Sequence, residues 1–164
     1  MITRTGKVAA LVLFNIYIIA VLYVTLFAWN YGASLGPEGP GGRNYNLIPF
    51  RSIYRIAVFS PSWWNPVRLL IGDIVLFIPF GILLPLVQRR VNTLLKITGY
   101  GFIFTVVIET SQFVFTHRVA NVDDVILNTF GAFTGGLMYL IGKKLTSRIY
   151  YIPNDSINKK LPFD

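Results

Sequence analysis

Cysteine is absent from this chain, which excludes disulfides, iron–sulfur ligation and thiol nucleophiles. Histidine occurs once, at His117, so a metal site needing two imidazoles cannot be built. Charge is scarce as well. Asp, Glu, Lys and Arg make up 13% of the 164 residues, against 54% hydrophobic residues, where a soluble domain carries about 25% charged residues. A soluble unit of this size cannot bury that much apolar surface, whereas a bilayer absorbs it. Acids are the scarcer sign, 7 against 15 basic residues for a net charge of +8. In a soluble domain that excess would suggest nucleic acid. Here the basic residues sit mainly at the ends of apolar stretches, which points to membrane topology and anionic lipid headgroups. No nucleic-acid partner is expected.

What is present is a set of long apolar runs. Residues 8–28, 69–87, 94–115 and 124–141 each approach the length of about 20 residues, with roughly 17 tolerated, that a helix needs to cross a bilayer. The first run is longer than the roughly 7–15 residues of a signal-peptide core and no small-x-small cleavage site follows it, so it reads as a span. The expected fold is all-α: a compact bundle of about four transmembrane helices over residues 1–145, then a basic cytoplasmic tail over 146–164. Arg4, Lys7, Arg89, Arg90, Lys96, Lys143, Lys144, Arg148, Lys159 and Lys160 fall on one side of the membrane in this topology. Arg43, Arg51, Arg55, Arg68 and Arg118 fall on the other. The positive-inside rule then puts both termini in the cytoplasm and residues 29–68 outside. Within that external loop, Gly32 to Gly42 reads GASLGPEGPGG, a flexible connection. Phe50, Ile53, Tyr54, Ala57 and Val58 recur at helical spacing opposite Arg51 and Arg55, predicting a short amphipathic helix in the interface. Trp63 and Trp64 fit headgroup-level anchors.

Polar residues inside the spans are few, and their spacing is ordered. A charge near the bilayer centre costs at least about 2.5–3.5 kcal/mol, so those that persist usually face the bundle interior. On the third span Thr98, Thr105, Glu109, Gln112 and Thr116 form one stripe, and on the fourth Asp124, Asn128, Gly131 and Gly135 form another. The glycine pair lets a neighbouring helix approach closely. With both termini inside, Asp73 lies about 6 Å below the outer surface, Glu109 about 9 Å and Asn128 about 6 Å below Asp124, at 1.5 Å per residue. Three carboxylates and two amides thus share the outer third of the bundle, beneath His117 and Arg118. Interhelical hydrogen bonds alone would account for one or two such residues, but three acids at one depth must each be paired or protonated.

At these residues the sequence resembles the VanZ-like family of small bacterial membrane proteins. Asn46-Leu47-Ile48-Pro49-Phe50 is similar to its NLxPF segment, and Asp73 to Pro85, DIVLFIPFGILLP, to its second-span motif. Glu109-Thr110-Ser111-Gln112 fits its ExxQ, and Arg118 to Gly136, RVANVDDVILNTFGAFTGG, its R…DD…N…G…G pattern. The resemblance covers Asn46 to about Leu140. Two positions depart from it: Asp73 stands where Asn is expected, and Asn121 where Asp is frequent. The family takes its name from a protein linked to low-level teicoplanin resistance. The resemblance therefore implies a multi-pass protein of a bacterial cell membrane that confers or modulates tolerance to lipoglycopeptide antibiotics.

Several chemistries suit a polar cavity at the outer leaflet. Glu109, Asp124 and Asp73 are the candidate acid–base residues of a membrane enzyme acting on an acylated or lipid-linked molecule, with Glu109 the protonated partner and Asp124 the ionised one. Arg118, Gln112, Asn128, Asp123, Asn46 and Arg51 are the candidate substrate-binding residues, Arg118 for a phosphate or carboxylate. The same cavity would serve a binder without chemistry that holds the antibiotic or a lipid-linked cell-wall precursor. A proton-coupled carrier would need polar groups on the inner side and an inverted repeat, and neither is visible. Ser111 lies about 100° off the Gln112 stripe with no GxSxG elbow. No cofactor and no metal are expected. The expected partners are membrane lipids, a lipoglycopeptide antibiotic or a lipid-linked precursor.

Overall fold

The computed structural model describes residues 4–27, 45–60, 64–116 and 119–149. Trp63, His117, Arg118 and residues 150–164 lie outside them. Four helices are long and apolar enough to cross a membrane. The first, α1, runs over Arg4–Leu22 and continues into a π-helical turn at Tyr23–Phe27. A short surface helix α2 covers Arg51–Phe59. Then come α3 (Trp64–Val87), α4 (Leu94–Phe115) and α5 (Val122–Ile149). Two-residue strands, β1 (Tyr45–Asn46) and β2 (Ala120–Asn121), pair in parallel, Tyr45 with Ala120 and Asn46 with Asn121. α2 forms where the spacing predicts a helix, but Phe50 caps it from outside and Ile53 shares the half-buried side with Ile56, leaving Tyr54, Ala57 and Val58 exposed. α4 coincides with its apolar run, whereas α3 begins five residues before its run and α5 extends past its run at both ends.

Close approach of backbones organises the bundle. Lipid tails are as apolar as leucine, so the hydrophobic effect does not drive one span against another, and packing must. Gly131 lies on the Ile74 carbonyl and Gly135 on the Ile78 carbonyl, so α3 and α5 run side by side in the same direction. Gly81 completes the seam from the α3 side, facing the Ala132 carbonyl. A Cβ at any of the three would fall on backbone. α4 joins this pair through Gly101, against the Ala132 side chain, and Gly136, against Ile97. α1 packs on α3 through aromatic rings, with Phe14 5.9 Å from Phe80, which stacks on Phe104 at 5.2 Å. Val21, Phe77, Phe80, Ile108 and Ala132 are the buried centre. The outward faces of the spans are apolar and exposed, Ile19 by 68%, as a lipid-facing surface requires.

Two prolines, Pro79 and Pro85, sit inside α3 without ending it. Each removes a ladder bond, tolerated in a span where neighbours take up freed backbone groups. The Tyr17 hydroxyl of α1 donates to the Leu76 carbonyl, one turn before Pro79, at 2.8 Å. Tyr17→Phe is expected to destabilise the bundle by about 1 kcal/mol, the net worth of one hydrogen bond, read as a lower midpoint in denaturing-detergent titration. No change would mean that the Leu76 carbonyl needs no partner.

Candidate functional site

At one end of the bundle meet the C-terminal ends of α1 and α4, the N-terminal end of α5, and α2. Asn121 is the hub. As the residue before α5 its Oδ1 accepts the Asp123 backbone N–H at 3.2 Å, the usual bond of an asparagine N-cap. The same oxygen accepts from Asn46 Nδ2 at 3.0 Å and from the Ser52 hydroxyl at 3.1 Å, and Asn46 Nδ2 also donates to Ser52 Oγ at 2.9 Å. Asn121 Nδ2 donates to Asp124 Oδ1, and its backbone N–H donates to Glu109 Oε2, both at 2.8 Å. An ionised aspartate at 121 could accept these bonds but could not donate to Asp124, so the departure from the family pattern supplies a donor that a carboxylate lacks.

Asp123, 1% exposed, caps a helix that is not its own. Its Oδ1 accepts the Phe50 backbone N–H, and its Oδ2 accepts those of Ser52 at 2.8 Å and Ile53 at 3.2 Å. These are orphan donors at the N-terminus of α2, whose positive end favours a carboxylate. Phe50 sits in the left-handed region at φ 63°, uncommon for a bulky residue and held only where the surroundings over-determine it. The NLxPF segment and the first aspartate of the DD pair are thus two halves of one clasp, with the β1–β2 bridge beside it.

The third-span stripe faces inward. Thr105, Glu109 and Gln112 are buried. Sequence spacing offers Glu109 the partners Gln112, Asp73 and Asn128; the side-chain N–H groups of two of these, Gln112 and Asn128, are directed elsewhere. The Glu109 carboxylate meets the backbone N–H of Asn121 at the start of α5. Gln112 Nε2 donates to the Thr25 carbonyl at 2.8 Å, and Asn128 Nδ2 donates to Thr105 Oγ1 at 2.9 Å. The Thr25 contact belongs to the π-helical turn of α1, which re-aims its carbonyls. Such turns recur at functional sites. Asp73 is half-buried on α3, one residue from Ile74, which abuts Gly131. It therefore lies within a turn of the Asn128 level. Asn128 Oδ1 and Thr98 Oγ1 are sealed and meet no hydrogen-bond partner among the described residues.

The structure thus brings Asn46, Glu109, Asp123 and Asp124 together around Asn121, with Gln112 a turn away and Asn128 with Asp73 one layer deeper. Arg51 is exposed at the start of α2, and Arg118 lies outside the described residues. Asn121, Ser52 and Thr25 belong to the site without having been candidates. For Asn121 the signal was available in its place just before the DD pair, an N-cap position. For Thr25 and Ser52 there was none. The Ser111 hydroxyl is spent on the Val107 carbonyl of its own helix at 2.7 Å. Among the described residues no group of three His, Cys, Asp or Glu side chains converges to hold a metal ion. Beside the cluster, an apolar groove of about 370 Å³ between α4 and α5 is lined by Thr98, Phe102, Val125, Ile126, Thr129, Phe130 and Phe133. It begins one residue beyond Asp124.

A sequence model described as VanZ/LLP1 matches residues 14–143 of this chain. The protein VanZ of Enterococcus faecium is 27% identical over 139 residues, an overlap covering 85% of this chain and 78% of that protein. No solved structure matches.

Proposed function

The chain belongs to the VanZ/LLP1 family, and from that premise we propose that this multi-pass membrane protein raises the tolerance of a bacterial cell to lipoglycopeptide antibiotics of the teicoplanin type. Its polar end binds or modifies an acylated or lipid-linked molecule in the outer leaflet. The observation that carries this reading is the gathering of Glu109, Asn121, Asp123 and Asp124 at one end of an otherwise apolar bundle. Buried ionisable groups in a span are functional by default.

The orientation follows from basic residues. Arg4, Lys7, Arg89, Arg90, Lys96, Lys143 and Lys144 flank the opposite end, so the positive-inside rule places the polar end outside and both termini in the cytoplasm. The apolar groove that starts beside Asp124 suits an acyl chain whose head lies at the cluster. Its length from Val125 to Phe133 is about 12 Å at 1.5 Å per residue. Arg118 would receive a phosphate or carboxylate of the same molecule.

The test is tolerance measured together with membrane abundance in a susceptible host. Glu109→Gln and Asp124→Asn keep size and hydrogen-bonding capacity, and each is expected to reduce tolerance to that of cells without the protein at unchanged abundance. An enzyme altered at Glu109 still binds its ligand, whereas a binder loses affinity with the bond. Full tolerance in both variants at normal abundance would show that the cluster only holds the helices together.

A further inference from the structure

Among the described elements, α2 is a helix that crosses nothing, and its surface is divided in three. Ser52, Ile53 and Ile56 are half-buried toward the bundle. At 100° per residue, Ala57, Tyr54 and Val58 form the next arc, and it is open, Tyr54 64% and Val58 53% exposed. Arg51 and Arg55, one turn apart and both exposed, border that arc. The α2 sequence RSIYRIAVF contains no acid. The one carboxylate that caps it, Asp123, is engaged by three backbone N–H groups. Among the described residues no acidic side chain pairs with either arginine. Leu47, Ile48 and Phe59 extend the exposed apolar surface on both sides of α2.

An open apolar surface of this extent, rimmed by cations, marks an interaction site. Its position identifies what covers it: α2 is clasped to the tip of α5, where a membrane span begins, at the level of lipid headgroups. A guanidinium there, beside an apolar arc, is matched by phosphate oxygens. We propose that α2 grips the anionic phospholipids of its leaflet, with Arg51 and Arg55 on the headgroups and Tyr54 and Val58 among the upper acyl carbons, and that the Asp123 clasp ties this grip to α5.

The absence of cysteine makes Val58→Cys a unique attachment point for a nitroxide on the full chain. The label is read in vesicles of phosphatidylcholine alone and of equal parts phosphatidylcholine and phosphatidylglycerol, as the ratio of immobilised to mobile spectral components. Each basic residue at an anionic surface contributes roughly a five-fold preference, the equivalent of about 1 kcal/mol. The two arginines together are therefore expected to raise the ratio about twenty-five-fold in the anionic vesicles, and added salt to lower it again. Arg51→Gln with Arg55→Gln should abolish the rise. Arg89→Gln with Arg90→Gln, at the opposite end of the bundle, should leave it intact. Size exclusion of each variant in mild detergent reports whether the bundle remains assembled. The proposal is overturned if the ratio is the same in both vesicles, if the rise survives loss of both α2 arginines, or if loss of Arg89 and Arg90 removes it equally.

Discussion

Gly135→Leu is expected to yield no folded protein. The position a Cβ would take is already occupied by the Ile78 carbonyl, and the Gly81 Cα lies at 3.1 Å. Both are backbone, so no side-chain rotation relieves the clash, and α3 and α5 must separate. Separation also opens the Gly131–Ile74 and Gly81–Ala132 approaches on the same seam. Overpacking a core costs about 1–3 kcal/mol when side chains can give way. With backbone on the other side, and only packing to hold spans together, the loss should exceed about 3 kcal/mol. Gly135→Ala, which places only the Cβ, should already reduce the folded fraction. Gly142→Leu, on the same helix with nothing within 4 Å, should stay within about 0.5 kcal/mol of the wild type. Folded fraction by size exclusion in mild detergent checks all three. Wild-type recovery of Gly135→Leu would show that the α3–α5 seam does not exist as described.

Asp123→Asn is expected to release α2 while the four spans stay assembled. The carboxylate presents two oxygens to three N–H donors. The amide presents one oxygen and turns an NH₂ group toward donors that cannot accept from it. At least one buried N–H loses its partner, at about 1–3 kcal/mol, and the remaining bonds lose their charge. A total near 3 kcal/mol corresponds to about a hundred-fold. Hydrogen exchange of the Phe50 to Ile56 amides should accelerate by about that factor, with the protection of α3 and α5 unchanged. Phe50, held at φ 63°, should then relax from the left-handed region. Unaltered exchange over these amides would mean that contacts other than the Asp123 carboxylate fix α2. Because Asp123 is a positioning residue in this arrangement, loss of tolerance in this variant should accompany the loss of α2 order, whereas in Glu109→Gln it should occur with α2 still protected.

Much of the architecture is written locally. The spans are legible because a bilayer demands about 20 apolar residues with all backbone bonds internal, a property of consecutive residues. The stripes Thr105–Glu109–Gln112 and Asn128–Gly131–Gly135 are legible because helical periodicity assigns each side chain to a face. The amphipathy of α2 follows from the same rule. Gly131 and Gly135 announce a packing face, but Gly81, the third member of the seam, carries no sign of it within the DIVLFIPFGILLP segment. Its importance depends on which helix lies opposite.

The amino-acid sequence by itself determined the membrane class, the four spans, the interior face of α4 and α5 and the gathering of polar groups toward one end. The tertiary structure alone decided what each polar group touches. Asp123 is bonded to backbone amides of Phe50, Ser52 and Ile53, some 70 residues earlier, and Gln112 to the Thr25 carbonyl. Every residue except proline has a backbone N–H and every residue a carbonyl, so a side chain destined for one leaves no complementary side chain to be found in the sequence. Periodicity fixes the direction and approximate depth of a side chain along its own helix. Which backbone waits there depends on how the chain folds back, through a π-helical turn in α1, a two-residue bridge and a left-handed Phe50 that no pattern of hydrophobicity encodes.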